Sequence, residues 1–160
     1  MKKTLFAIST LFCFLACTVY YVSHDEERAA KSSIDFAQVA LIQHDIQKSY
    51  ALLPDFWKQK FPLEGYAKFI SRMHPSSYPI SLTAIEYQRV VGPDEVKFIN
   101  ILLYGENGSE KFYYRFVMMG NSKTEYKMAG IYRRAGPYPP SNLSHPLKTK
   151  PSTKILTRSS

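Results

Sequence analysis

The chain has 160 residues, of which 45% are hydrophobic and 14% aromatic, so its length suits one compact domain with extensions rather than two domains. The formal net charge is +8, but six of the 21 Lys and Arg residues lie near the two ends. A basic character confined to the termini argues against a nucleic-acid-binding face on the folded part.

The first 22 residues have the pattern of an export signal. Lys2 and Lys3 precede an uncharged run over residues 4–22, and three acidic residues follow it closely. This polarity keeps the N-terminus in the cytoplasm and carries the rest of the chain across the membrane. The run approaches the roughly 20 residues that span a bilayer, and it offers no good small-x-small cleavage site. We therefore predict that residues 1–22 are a membrane anchor, or else a cleaved signal peptide.

Both cysteines lie inside the apolar run, so we expect neither a disulfide nor a thiolate metal site beyond it. The residues before Cys17 resemble a bacterial lipobox, which makes Cys17 a candidate for lipidation. The match is imperfect, because the pattern usually has Leu where Phe14 stands and a small residue where Leu15 stands. Cys17 as a small apolar residue of a membrane helix is the alternative, and anchor, lipoprotein and secreted product all stay open.

Two helices are predicted after a linker over residues 23–31. Over residues 32–53, apolar side chains recur at three- and four-residue steps, and Pro54 ends this pattern. A second, shorter helix is predicted over residues 63–73, with a proline before its start and another beyond its end. Both helices carry an apolar stripe that must be covered.

Four strands are predicted next, because β-branched and aromatic residues become frequent and short turn signals separate the segments. Such turns join antiparallel neighbours, so the strands should form a consecutive meander. The third strand should bury Phe112, Tyr114, Phe116 and Met118, and the second Val96, Phe98, Leu102 and Tyr104. The predicted strands cover residues 80–91, 95–104, 111–119 and 125–134. The fold class is therefore α+β, with both helices on one face of a four-stranded antiparallel sheet.

The composition changes again after Arg134, where prolines alternate with Ser, Thr and Lys. We predict a disordered basic tail over residues 135–160, which leaves residues 32–134 as the domain. A solvated extension without a fixed partner is favoured over a tail that touches anionic lipid, cell-wall polymer or an acidic protein.

The order of these elements resembles the NTF2-like superfamily. Residues 44–53 look like the opening helix of that family, residues 65–70 like its short aromatic-bearing helix, and residues 126–131 like its final strand. The likeness is one of layout, and it implies a strongly curved sheet that forms a cone with a pocket at its open end. The family includes isomerases, dehydratases, transport factors and exported domains without known activity, so it does not select a function.

A catalytic site is not expected from the polar residues. Enzymes of the NTF2-like type use an Asp or an Asp–His pair inside the cone, and Asp45 and His44 are the nearest candidates. A helical wheel turns both side chains toward solvent. No His spacing suits zinc, and neither a phosphate-binding loop nor a nucleophile elbow is present, so we expect no metal and no cofactor.

A ligand pocket is the other type of site that the sequence suggests. Residues beside the predicted buried stripe are the candidates: Gln43, Trp57, Tyr66, Tyr87, Asn100 and Tyr104. Ordinary core packing, with each buried amide bonded to backbone, is the alternative. Arg115 is expected to point outward with its stem on the sheet rather than to clamp an anion.

Two functions follow from these observations. The first, which we favour, is a non-catalytic binding or assembly module at the bacterial cell envelope. It would be anchored in the inner membrane and face the periplasm or the exterior, with a lipoprotein or a secreted protein as alternatives. The membrane would be one partner, an envelope protein or a small apolar ligand another, and a homodimer through the sheet face a further one. The second function is a small lyase or isomerase with a carboxylate in the cone.

The periplasmic subunits of type IV secretion machines provide an example of the first kind of protein. They have a similar architecture: a short N-terminus, one membrane span and an NTF2-like domain. The similarity is one of organisation, without a match of individual residues.

Overall fold

The computed structural model describes residues 23–91 and 97–155. The predicted anchor over residues 1–22 and the lipidation candidate Cys17 therefore lie outside the described residues. Within the described part, no helix combines the length and the apolar character needed to cross a membrane.

Four α-helices precede a five-stranded antiparallel sheet in the described chain, so the predicted α+β class is confirmed. The strands are β1 (Ser81–Arg89), β2 (Phe98–Asn107), β3 (Glu110–Met119), β4 (Lys127–Arg134) and β5 (Ser144–Pro146). The helices are α1 (Glu26–Ala37), α2 (Ile46–Ala51), α3 (Asp55–Lys60) and α4 (Leu63–Met73), with a π-helical turn at Gln38–Ile42 after α1.

Helix α1 starts earlier than the sequence suggested. The Asp25 carboxylate accepts a hydrogen bond from the Arg28 backbone N–H at 3.0 Å, which satisfies one of the free donors at a helix N-terminus. Residues 26–31, predicted to be a linker, form the first turns of this helix. Ala29 and Ala30 are fully buried, so this part of the chain belongs to the domain.

The single helix predicted over residues 32–53 is interrupted. After the π-helical turn, His44 adopts a φ of 56°, a left-handed conformation that no α-helix contains. Helix α2 then restarts with Asp45 as its N-cap, whose carboxylate accepts from the Lys48 N–H at 2.9 Å. The apolar spacing alone did not reveal this break, because spacing reports the buried side chains and not the backbone between them.

The sheet has the strand order β4-β3-β2-β1-β5, with every neighbouring pair antiparallel. Helix α1 packs on the face formed by β1 to β4, and the Phe36 ring meets the Phe116 ring edge-on, with centroids 5.9 Å apart. This face, here called the inner face, holds the hydrophobic core.

The predicted buried face is correct for β3 and wrong for β2. Phe112, Tyr114, Phe116 and Met118 are all fully buried in the core. On β2, however, the buried residues opposite them in register are Ile99, Ile101 and Leu103. Phe98, Leu102 and Tyr104 lie on the other face, where Leu102 is nevertheless buried, and Val96 lies outside the described residues. The prediction failed because β2 is apolar at consecutive positions and a one-residue offset exchanges its two faces.

The segment after β4 forms a fifth strand, so the predictions of a four-stranded sheet and of a tail disordered from residue 135 onward are wrong. Strand β5 pairs with β1, and the chain then continues along β1, where the Thr153 N–H donates to the Leu82 carbonyl at 2.8 Å. Leu147 is 5% exposed and belongs to the core. The unpaired edge of β1 supplies backbone partners and an apolar site for this segment, so residues 144–155 are part of the fold.

Candidate functional site

The outer face of the sheet, which points away from the helices, carries aromatic and apolar side chains. Strand alternation and the register bring these residues together: Phe98, Asn100, Leu102, Tyr104, Tyr113, Arg115, Val117, Met119, Tyr132 and Arg134. The Tyr104 and Tyr113 rings lie 5.4 Å apart. Most of these side chains are half-buried, Leu102 is buried, and Tyr132 and Arg134 are exposed. Because the solvent-exposed face of a sheet is ordinarily polar, the accessible tyrosines mark the outer face as a candidate contact surface.

A proline-rich segment over residues 135–143, here called the strap, crosses the outer face. Because β4 and β5 lie at opposite edges of the sheet, the chain has to cross one of its two faces, and the contacts of Tyr138 with Tyr132 and Arg115 place it on the outer one. The Tyr138 hydroxyl donates to the Tyr132 carbonyl at 3.1 Å, and the Arg89 N–H donates to the Leu143 carbonyl at 3.3 Å. The strap is therefore fixed to β4 at one end and to β1 at the other.

A pocket of about 430 Å³, here called the strap pocket, lies between the strap and the sheet. Its walls come from both: Gln88, Arg115, Tyr132, Arg133, Arg134, Tyr138, Pro139, Pro140 and Ser141. The lining residues up to Arg134 lie on strands of the sheet, and the prolines stiffen the strap. The result is a shallow, open depression between the strap and the sheet.

Arg115 lines this pocket. Its guanidinium carbon lies 4.8 Å from the centroid of the Tyr132 ring and 5.7 Å from that of Tyr138, both within cation–π range. Its Nε atom is buried and has no hydrogen-bond partner among the described residues. Because Nε is shielded from solvent, a ligand in the pocket can reach this guanidinium only through its terminal N–H groups.

The pocket carries an excess of positive charge. Arg134 lies 5.3 Å from the centroid of the Tyr138 ring. Arg133 contributes no free charge, because its Nη2 atom lies 2.7 Å from the Glu110 carboxylate. The ion pairs formed by the described residues include neither Arg115 nor Arg134.

Tyr138 is held as a neutral phenol in this setting. Burial raises the pKa of its hydroxyl above the ordinary value of 10, and the Arg115 and Arg134 charges oppose part of that rise. Tyr138 therefore keeps its proton near neutral pH and donates it to the Tyr132 carbonyl, which ties the strap to the sheet.

A second concavity, of about 580 Å³, lies where α1 and the end of α2 approach the start of β4. Two carboxylates line it, Asp35 and Glu125, and both are exposed. A carboxylate that shuttles protons to carbon is normally held in an apolar pocket, which raises its basicity. These two solvated carboxylates do not have that environment.

Four further residues form a buried polar cluster beneath α4. His74 is 5% exposed, its Nε2 lies 2.6 Å from the Tyr114 hydroxyl, and its Nδ1 lies 2.9 Å from the Ile70 carbonyl. Because a carbonyl only accepts, Nδ1 carries the proton and Nε2 accepts from Tyr114. Its ring stacks on Tyr78 at 4.2 Å. Burial lowers the pKa of His74 and raises that of Tyr114. The hydrogen bond between His74 and Tyr114 joins the end of α4 to β3. Since neither concavity includes His74, the role of this cluster is structural.

The structure does not bring the predicted pocket residues together. On the helical side, Gln43 is exposed at the end of the π-helical turn, because the break at His44 removes it from the buried stripe. Trp57 is half-buried against Phe61, with ring centroids 5.7 Å apart. Tyr66 is buried and donates to the Ser49 hydroxyl at 3.0 Å.

The three predicted pocket residues on strands lie on different faces. Tyr87 is half-buried on the inner face and contacts His145, with ring centroids 5.2 Å apart. Asn100 and Tyr104 lie half-buried on the outer face. None of the six predicted residues lines either of the two concavities.

The candidate catalytic pair has a structural role. Asp45 caps α2 and His44 rests against Tyr78, with ring centroids 4.2 Å apart, and both are exposed as the helical wheel indicated. Among residues 23–91 and 97–155, no group of three or more His, Cys, Asp or Glu side chains is placed to hold a metal ion.

Sequence reasoning missed the strap pocket because it treated the strap as disordered. Arg115 does point outward, as expected, but its neighbours come from β4 and from a segment twenty residues further along the chain. One signal was available: Tyr138, Leu143 and Leu147 interrupt the proline-rich composition with large apolar side chains, which a fully solvated tail has no use for.

No family model, no curated protein and no solved structure matches this chain. The resemblance to the NTF2-like superfamily, which depends on element order, stays a prediction. What the protein does must follow from the side chains of its sites, since a fold alone does not select a function.

Proposed function

We propose that this protein is a non-catalytic binding or assembly module of the bacterial cell envelope, which contacts an envelope protein through the outer face of its sheet. The observation that carries this proposal is the strap pocket, in which the Arg115 guanidinium lies against the rings of two tyrosines and forms none of the ion pairs of the described residues. The domain would be NTF2-like, with a curved sheet around its helices.

Location outside the cytoplasm is part of the same proposal. Residues 1–22 have a cationic front and an apolar body, and acidic residues follow them, which is the polarity of an inner-membrane anchor whose C-terminal side is exported. Residues 23–160 contain no cysteine, so export to an oxidising compartment would form no disulfide within the domain. The alternatives to a retained anchor are a lipoprotein modified at Cys17 and a secreted protein.

The composition of the outer face supports a protein partner. Tyr and Arg are the side chains most enriched at the energetic centres of protein interfaces, because they combine large contact area with fixed polar groups. The outer face presents both types on neighbouring strands, with Tyr132 52% exposed. A nucleic-acid partner is not supported by the charge distribution, which is basic mainly at the chain ends.

The lyase or isomerase alternative lacks support from the geometry. Among the described residues, the carboxylates that line the larger concavity are exposed, and Asp45 is a helix cap. We therefore propose the binding module and not the lyase or isomerase.

Site-specific photo-crosslinking in intact cells tests the proposal. A benzoylphenylalanine at position 104, on the outer face, is expected to give a discrete adduct in the envelope fraction on irradiation. The matched control places the same group at Phe56, an aromatic residue of α3 that is 42% exposed. We expect no adduct there, because α3 lies outside the outer face.

The mass of the adduct identifies the partner. A species of twice the chain mass of 18.4 kDa that contains peptides of this chain alone would show that the partner is a second copy, and peptides of another protein would identify a different partner. Adducts from position 56 but not from position 104, or from neither, would contradict docking through the outer face.

A further inference from the structure

We propose that the strap pocket binds an oxyanion, a carboxylate or a phosphate, carried by a ligand with a flat apolar body. The inference rests on the proposed function, because it names the chemical class that the same outer face recognises. It reverses the sequence-based expectation that Arg115 is only a surface residue.

The first reason is the hydrogen-bonding state of Arg115. A guanidinium has five N–H donors in one plane and no acceptor. The Nε donor of Arg115 is buried and unpartnered among the described residues, and a buried unpaired donor is costly. Because Nε is shielded from solvent, an oxyanion has to be bound through the terminal N–H groups of the guanidinium, which offer parallel donors to its oxygens.

The second reason is the surrounding charge. Arg134 shares the Tyr138 ring with Arg115, so two guanidinium groups border one pocket. Glu86, an acidic residue of the same face, lies two strands away from Arg115, with Leu102 paired to both in the sheet register, and no acidic residue among those described lines the pocket. Within the described chain, the pocket therefore attracts an anion without an internal carboxylate that competes for Arg115.

A further donor lies at the strap side of the pocket. The Ser141 Oγ accepts from the Leu143 N–H at 3.1 Å, and its own hydroxyl proton is available to a ligand. A donor from the strap opposite a cation from the sheet would fix an anion between the two.

The apolar part of the ligand follows from the walls. The pocket volume of about 430 Å³ lies within the range of small-ligand sites. Tyr132, Tyr138, Pro139 and Pro140 offer flat apolar surfaces around the charged centre. An aromatic ring that carries a carboxylate or a phosphate fits both properties, whether it comes from a small molecule or from a side chain.

Two-dimensional NMR of the full-length protein in detergent micelles tests the proposal with benzoate and phenyl phosphate as probes. The Nε–H signal of Arg115, assigned by its loss in Arg115→Gln, is expected to shift on titration with at least one probe. Benzamide, which has the shape of benzoate without its charge, is expected to bind at least about tenfold more weakly. The probe that binds more tightly tells whether the site takes carboxylate or phosphate.

Three variants separate a specific site from general attraction. Arg115→Gln is expected to weaken the better probe at least about tenfold, and Arg115→Lys to recover part of that loss, since lysine keeps the charge but not the planar edge. Arg72→Gln makes the same charge change on an exposed residue of α4, and affinity is expected to stay within about twofold.

The contradicting results are specific. The anion site is ruled out if neither probe moves the Arg115 signal, if benzamide binds as tightly as benzoate and phenyl phosphate, or if Arg72→Gln loses as much affinity as Arg115→Gln. Crosslinking at position 104 that persists alongside such a result would leave the binding module intact and remove only the anion site. Loss of both would remove the proposed function as well.

Discussion

Replacement of Leu103 by alanine is expected to lower the free energy of unfolding by about 2–5 kcal/mol, whereas Tyr104→Ala is expected to lower it by about 1 kcal/mol or less. Leu103 is 1% exposed and packs in the core, so its removal leaves a cavity. Tyr104 is half-buried on the outer face, where its ring contacts Tyr113. Urea unfolding, followed by the fluorescence of Trp57, measures both values.

The comparison tests the register of β2 directly. The two positions are neighbours on the same strand, so the local backbone is the same for both. What differs by position is the face of the sheet that each side chain occupies. A larger loss for Tyr104→Ala than for Leu103→Ala would mean that the strand is offset by one residue and that its other face covers the core.

The second large effect concerns the buried His74–Tyr114 pair. His74→Phe is expected to cost about 1–3 kcal/mol, because it leaves the Tyr114 hydroxyl buried without its partner. The double variant His74→Phe/Tyr114→Phe removes both polar groups and is expected to recover most of that loss. Urea unfolding at neutral pH measures the difference between the single and double variants.

The same pair makes stability depend on pH. Burial lowers the pKa of His74 in the folded protein below its ordinary value of 6.5, so the unfolded chain takes up a proton first as the pH falls. The contribution of His74 to the free energy of unfolding is therefore fully present above about pH 6.5, and it decreases as the pH falls from there toward the folded-state pKa.

The double variant should lose the pH dependence in this window. Besides Tyr114 and Tyr78, which contact its ring, three charged or titratable groups act on His74: Arg133, His44 and Glu110. Hydrogen bonding to Ser77 and then the Arg133 contact lower the pKa of Glu110, so its own contribution is lost only below about pH 4.5. An unchanged dependence between about pH 7 and 5.5 in the double variant would assign it to another group.

The fold was predictable where charge and apolar character alternate. On β3, Lys111 and Arg115 interrupt the apolar series every few residues, which marks the inner face. On β2, Ile101, Leu102 and Leu103 follow one another, and three successive apolar residues contain no information about which face is buried.

The parts that sequence reasoning missed depend on distant contacts. The break at His44 is a backbone conformation, and apolar spacing does not report it. Strand β5 forms because the edge of β1 is free for it, although its composition is typical of a loop. The strap pocket depends on that pairing, since the strap crosses the sheet only because the chain must reach β1.

Hydrogen–deuterium exchange of the full-length protein measures most directly whether the strap is fixed across the outer face. In the structure, the N–H groups of Leu147 and Thr153 donate to carbonyls of β1, at 3.3 and 2.8 Å. We expect peptides over residues 144–153 to exchange about as slowly as those over residues 81–89. Exchange of residues 144–153 at the rate of an unstructured peptide, with β1 still protected, would contradict the account, because without this pairing the segment that follows the strap would not be held on β1.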